Sequence, residues 1–429
     1  MTGSPTLLYS IYRGATTALA PFAWRAVRRK LEAAGVPETR QQERLGHASQ
    51  PRPDGRLIWF HAASVGESLS VLSLIARLGE RLPDAEFLIT SGTPTSAALL
   101  EKRMPPRCRH QYPPLDTGPA VERFLSHWHP DAGIFVESEI WPRTIVEAAS
   151  HGIPLALLNA RLSARSVDGW KKWPDTAQFV LGQFSVFVTQ NARMAEDLRD
   201  MGADPARVRP GTNLKAMSAP LPVDQNALAD IRDQIGARPV WIASSTHEGE
   251  EEAVLEAHRR LLARYPDLLL VLVPRHPERG DAVAAQIRDA GLEGARRTAD
   301  QAVTKDTQVY LADTLGELGT WYALSPMVFL GGSLREIGGH NPFEPAQAGA
   351  AVITGPGTFN FSETFTPLIA MGGAAEVSDA AQLATALDRW LTDPKALDTA
   401  RAAAARFVAR QDSALEDVVE TLCSELGLA

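Results

Sequence analysis

Short apolar runs alternate with helix-length stretches along almost the whole of this 429-residue chain. The runs Leu57–His61, Phe87–Thr90, Gly133–Val136, Leu155–Leu158 and Val186–Thr189 form one series. Val240–Ala243, Leu268–Val273, Gln308–Leu311, Met327–Leu330 and Ala351–Ile353 form a second. Between them lie stretches of helical length such as Glu67–Arg81, Arg143–Ser150, Arg193–Met201, Glu250–Tyr265 and Asp281–Ala290. A strand that is apolar at every position must be buried on both faces, and an intervening helix supplies that cover. The pattern is that of parallel sheets built from βαβ units. It breaks once, around Asn213–Gln225, where Pro220, Pro222 and polar residues interrupt it. The expected fold is α/β, two doubly wound Rossmann-like domains with a cleft between them. The expected divisions are a segment 1–45, a first domain 46–212, a linker 213–225 and a second domain 226–429, whose last helices pack back on the first.

Charge and cysteine content narrow the function. The net charge of −8 argues against nucleic acid as a partner. Only Cys108 and Cys423 are present, far apart, which excludes a disulfide scaffold or a cysteine zinc site. Residues 1–56 hold nine basic and four acidic side chains, a net of +5 that leaves −13 on the remainder. The apolar stretch Leu7 to Val27 is broken by Arg13 and Pro21, too broken for a membrane-crossing helix and a poor signal peptide. An interfacial helix is expected instead. Leu7, Leu8, Ile11 and Tyr12 would share a face, with Trp24 and the cluster Arg25, Arg28, Arg29 and Lys30 at anionic headgroups.

Ligands of doubly wound sheets bind at the carboxyl ends of the strands, and unusual motifs fall at those ends. His61-Ala62-Ala63-Ser64-Val65-Gly66-Glu67 closes the first strand and opens a helix. Glu67 there is a candidate general base for a sugar hydroxyl, its pKa expected to be held down by the helix dipole. Ser64 in the same segment resembles a degenerate nucleophile elbow, but no oxyanion-loop motif precedes it. Glu137-Ser138-Glu139-Ile140-Trp141-Pro142 sets two carboxylates at another strand end, costly to bury without partners.

In the second half, Val273-Pro274-Arg275-His276-Pro277 offers an arginine for a phosphate or carboxylate. Asp313-Thr314-Leu315-Gly316-Glu317-Leu318 reads as a capped helix, Asp313 being the cap. In Gly331 to Pro345, glycines allow close backbone approach, and Asn341, Pro342 and Glu344 form a helix start suited to a phosphate. The acidic run Glu248 to Glu252 is expected to decorate a helix N-terminus; His247-Glu248 lacks the second histidine of a zinc motif. No GxxxxGK[ST], no GxGxxG after the first strand and no Asp-x-Asp pair occur.

These motifs together resemble the 3-deoxy-D-manno-octulosonic acid (Kdo) transferases, glycosyltransferases of GT-B fold. The resemblance rests on HAASVGE at 61–67, ESEIWP at 137–142, NARLSARS at 159–166 and NLK at 213–215. It continues through STHEGEE at 245–251, VPRHPER at 273–279, DTLGELG at 313–319 and GGSLREIGGHNPFEPA at 331–346. It implies inverting, metal-independent transfer of Kdo from CMP-Kdo to a lipid A precursor at the cytoplasmic face of the inner membrane, with no cofactor. By position it makes Glu67 the proton acceptor and makes Glu137 and Lys215 stabilisers of the transition state. CMP would be met by Pro274, Arg275, Leu315, Gly316, Glu317, Asn341, Pro342, Phe343 and Glu344. The first domain would take the acceptor, and the N-terminal segment would meet the anionic membrane surface. The apolar N-terminal anchor is weaker than in the family, and Phe343 stands where leucine is commoner. Two alternatives remain open at this stage: a GT-B transferase or epimerase using a UDP-sugar, and a non-catalytic nucleotide-sugar-binding protein.

Overall fold

The structure, a computed structural model, describes residues 4–211 and 220–428. Contacts divide the chain into two compact units, Met1–Ser218 with Asp412–Ala429, and Ala219–Gln411. Asn213, Leu214 and Lys215 lie outside the described residues.

The first unit is built on a seven-stranded parallel sheet: β1 (Arg56–His61), β2 (Ala85–Thr90), β3 (Cys108–Gln111), β4 (Ala132–Val136), β5 (Leu155–Ala160), β6 (Val186–Thr189) and β7 (Val208–Pro210). Its order is β3-β2-β1-β4-β5-β6-β7, so the winding reverses between β1 and β4. Successive residues of β1 feed opposite cores, Leu57 and Trp59 into one, Ile58 and Phe60 into the other. That is why the strand reads as an unbroken apolar run. Leu415, Val418, Val419 and Leu422, from the end of the helix Pro394–Glu425, and Leu426 just beyond it complete the second of these cores.

The second unit repeats the plan with β8 (Val240–Thr246), β9 (Leu269–Pro274), β10 (Gly294–Arg296), β11 (Val309–Leu311), β12 (Met327–Leu330), β13 (Ala351–Thr354) and β14 (Ala374–Glu376). The order β10-β11-β9-β8-β12-β13-β14 places the reversal between β8 and β12. β3, β7, β10 and β14, absent from the expected series, are the four sheet edges. Each has three or four residues and pairs on one side only, so none needs a long apolar run.

Two expected helices differ. The stretch Glu67–Arg81 divides into Val65–Ser70 and Leu72–Arg81, and the Ser70 hydroxyl bonds back to the Glu67 carbonyl at 2.7 Å where the break comes. The N-terminal helix runs over Leu7–Ala33, and Tyr9 and Leu31 are its buried residues. Tyr12 does not share the outward face of Leu7 and Ile11: its hydroxyl donates to Asp116 at 2.5 Å. Outward instead are Leu7, Ile11, Leu19 and Phe22, each between 57% and 79% exposed. Among the described residues no helix is long and apolar enough to cross a membrane.

Candidate functional site

In a parallel sheet all strand exits share one edge, and at a reversal the two flanking loops part to leave a crevice. In the first unit the loops after β1 and β4 meet there. Ser64 caps the helix Val65–Ser70, its hydroxyl oxygen accepting from the Glu67 N–H at 3.3 Å. Glu67 reaches back, accepting from the Ala63 N–H at 2.9 Å and the Ser64 hydroxyl at 2.8 Å, a reciprocal capping arrangement. Its carboxyl is buried and its pKa is raised, chiefly by burial and further by Glu139 and Glu137, against the opposing pull of Ser64. The expectation of a depressed pKa is therefore corrected: desolvation and like charge outweigh the hydrogen bonds from Ser64 and the Ala63 N–H.

Glu137 sits at φ 56°, a left-handed conformation unusual for a side-chain-bearing residue, as does Asn159 at φ 52°. Asn159 marks a register shift in β5 and donates to Glu137 at 3.4 Å. Glu139 accepts from His61 Nε2 at 3.2 Å and from Trp141 Nε1 at 2.6 Å. Burial pushes its carboxyl up, but these two donors bring the net pKa below the usual value.

A cavity of about 130 Å³ adjoins these residues. It is lined by His61, Ala63, Glu139, Trp141, Arg44, Pro113–Leu115, Asp116 and Thr144 among others. Burial lowers the Arg44 pKa to about 10, so the guanidinium stays charged at neutral pH.

In the second unit the loops after β11, β9 and β12 carry the expected nucleotide motifs, and β8 lies between β9 and β12 in the sheet. Gly331 packs so tightly that a Cβ would lie 2.7 Å from the Ser245 carbonyl oxygen, and Gly332 has φ 68°. The amides of the glycine-rich loop just after β12 are engaged by a carboxylate. Glu250, fully buried, accepts from the N–H groups of His247 and Gly332 through one oxygen and of Ser333 and Leu334 through the other, at 2.6–3.0 Å. It locks the loop from the N-cap position of the helix Glu251–Leu262, whose first turn holds Glu251 and Glu252, so the acidic run does lie at a helix N-terminus as expected. His247 and His340 approach at 2.9 Å between Nε2 atoms, so one donates a proton to the other. Burial lowers both pKa values, that of His340 to about 4, and Arg275 adds to the effect.

The expected contacts around this edge differ in character. Pro274 ends β9, and Arg275 is exposed beside the histidine pair. Leu315 is exposed and Gly316 has φ 87°. Glu317 is held by Arg297 at 2.6 and 3.1 Å and by Thr314, and the Arg297 bonds chiefly keep its pKa low. Asp313 is not a helix cap; it accepts from Arg296 Nε, the Thr298 N–H and the Thr298 hydroxyl. Asn341 Oδ1 accepts from the Phe343 N–H at 3.1 Å, at the start of the five-residue helix Phe343–Gln347. Pro342 and Phe343 are buried, Phe343 against Phe407, and Glu344 is half-buried. Sequence reasoning missed Arg44, Asp116 and the locking role of Glu250. Only tertiary contact marks the first two; for Glu250 the adjoining glycine-rich loop was the available signal.

A family profile described as 3-deoxy-D-manno-octulosonic-acid transferase (kdotransferase) matches residues 39–218. A probable mitochondrial 3-deoxy-D-manno-octulosonic acid transferase of Arabidopsis thaliana is 34% identical, covering 97% of this chain and 93% of its own. The 3-deoxy-D-manno-octulosonic acid transferase of Haemophilus influenzae is 37% identical over 78% of each. Among solved structures, a UDP-GlcNAc 2-epimerase from Neisseria meningitidis bound to UDP-GlcNAc shares the fold. It has a TM-score of 0.57 at 14% identity, covering 86% of this chain and 100% of that one.

Proposed function

The chain belongs to the 3-deoxy-D-manno-octulosonic acid transferase family and is a Kdo-transferring glycosyltransferase, and on that premise we propose that it moves Kdo from CMP-Kdo to a lipid A precursor with inversion and without a metal ion. The observation that carries this reading is Glu67, a buried carboxyl with raised pKa beside Glu137 and Glu139 where the first sheet reverses. Such a group removes a proton from an acceptor hydroxyl far better than an ordinary surface carboxylate. The hydroxyl oxygen then attacks the ketosidic carbon on the face opposite CMP, which leaves with the bonding pair. Glu137, and Lys215 in the residues outside the described set, would stabilise the positive character of that carbon and the charge of the leaving phosphate.

On the nucleotide side, exposed Arg275 is suited to the phosphate, and Leu315-Gly316 offers open backbone to the base. Glu317, already held by Arg297, and half-buried Glu344 are candidate acceptors for ribose hydroxyls, with Asn341 orienting the backbone of Pro342 and Phe343. Arg275→Ala should weaken CMP binding about tenfold or more, the worth of one charge-assisted contact. Unchanged affinity by calorimetry would remove Arg275 from the site.

Peripheral attachment to the cytoplasmic face of the inner membrane completes the proposal. The outward row Leu7, Ile11, Leu19 and Phe22 would enter an anionic surface that Arg25, Arg28 and Arg29 also contact. The direct assay incubates the protein with CMP-Kdo and a lipid A precursor, with and without a chelator, and weighs the products. Product mass increased by Kdo in both conditions is the expected result; no transfer, or transfer abolished by the chelator, would count against it.

A further inference from the structure

The cavity beside Glu139 has a lining that the transfer chemistry does not require. Arg44 is half-buried on its wall and donates from Nη1 to the Pro113 carbonyl at 2.8 Å, while among the described residues its buried Nε has no hydrogen-bond partner. The nearby carboxylates are committed elsewhere. Glu43 serves Arg40, Ser49 and the Tyr112 N–H. Asp116 serves Tyr12, the Arg143 and Thr144 N–H groups and the Thr144 hydroxyl. Glu139 serves His61 and Trp141. A guanidinium on a cavity wall with no carboxylate partner among the described residues is suited to grip an external anion through its fork.

The rest of the wall fits a sugar. The Trp141 ring is 45% exposed and fixed through Nε1 by Glu139, giving a rigid aromatic platform. Glu139, through the oxygen not used by His61 and Trp141, and Thr144 offer oxygen atoms to hydroxyls, and Pro113, Pro114 and Leu115 supply apolar floor. The cavity also touches the reacting end, because Ala63 lines it and donates its N–H to Glu67.

We propose that this cavity seats an anionic sugar unit, Arg44 gripping its charged group while Trp141 packs against its ring. The proposal rests on the transferase reading above and names a subsite within it. Two sources share the chemistry: a phosphate on the acceptor sugar and the carboxylate of the donor sugar. The Asp116–Tyr12 bond ties the cavity wall to the N-terminal helix, which favours the acceptor.

The test measures KM for each substrate separately in Arg44→Gln, Arg44→Lys and Trp141→Ala, using phosphorylated and dephosphorylated acceptors and confirming folding by near-UV circular dichroism. If the acceptor phosphate is held, Arg44→Gln raises acceptor KM about tenfold or more with little change in kcat. The effect disappears with the dephosphorylated acceptor, and Arg44→Lys recovers part of it. If the donor carboxylate is held, the rise appears in donor KM instead. Folded Arg44→Gln protein with both KM values unchanged overturns the subsite. Should wild-type protein fail to transfer Kdo at all, the transferase reading falls, and calorimetry with glucosamine 1-phosphate and with free Kdo decides the subsite. Binding by wild type that Arg44→Gln loses sustains it; no binding of either overturns it.

Discussion

At the residue scale, the same contacts that cap a helix also tune a carboxyl. Glu67 is fixed by Ser64 and the Ala63 N–H, yet burial and two neighbouring carboxylates raise its pKa. Glu67→Gln should retain the fold and CMP binding while losing about 10²–10⁴-fold in turnover, the usual range for a missing general base. Turnover within a few-fold of wild type would eliminate it as the base. The pH profile carries the second expectation. A base works only when deprotonated, so activity falls on the acid side as pH drops through the raised Glu67 pKa, at higher pH than for an ordinary glutamate. The Glu139 charge contributes to that rise, so Glu139→Gln should move the acid limb of kcat/KM to lower pH. An unmoved limb would show that another group governs it.

At the element scale, the strand-to-helix crossings after β1 and β8 each hold a glutamate that accepts from the backbone, Glu67 from one amide and Glu250 from four. Glu250 takes four N–H groups, three of them from the glycine-rich loop after β12. Glu250→Ala would leave those buried donors without an acceptor. At roughly 1–3 kcal/mol for each unsatisfied group, stability should fall by at least about 3 kcal/mol in urea denaturation. A loss below about 1 kcal/mol would mean that the loop holds its shape by other contacts.

At the scale of the whole molecule, charge and apolar surface are segregated along the chain. The first 56 residues carry +5, the remainder −13, and the outward face of the N-terminal helix adds Leu7, Ile11, Leu19 and Phe22. Deleting this helix would also strip Tyr9 from Phe179 and Tyr12 from Asp116, so substitution of the outward face is the cleaner experiment. Wild type should float with anionic liposomes and dissociate as salt rises, since exposed charges are screened beyond ~10 Å at 0.1 M. Replacing the four outward residues with serine should abolish flotation without changing CMP affinity. Flotation equal to wild type would place the membrane contact elsewhere.

The α/β class, the ten inner strands and the strand-end position of the motifs were legible in the sequence, because burial on both faces forces a continuous apolar run that composition alone displays. Edge strands were not legible, since one-sided pairing puts no such demand on three or four residues. Which motif residue does what was decided by tertiary structure. Asp313 serves Arg296 and Thr298 instead of capping, and Glu250, read in the sequence only as part of an acidic helix start, holds the amides of the glycine-rich loop after β12. Arg44 sits in no recognisable pattern, and only the folded chain sets it on the same cavity wall as Glu139 and Trp141. Periodicity reports how a residue faces its own element, whereas a pKa or a vacant donor depends on what distant elements bring within a few ångströms.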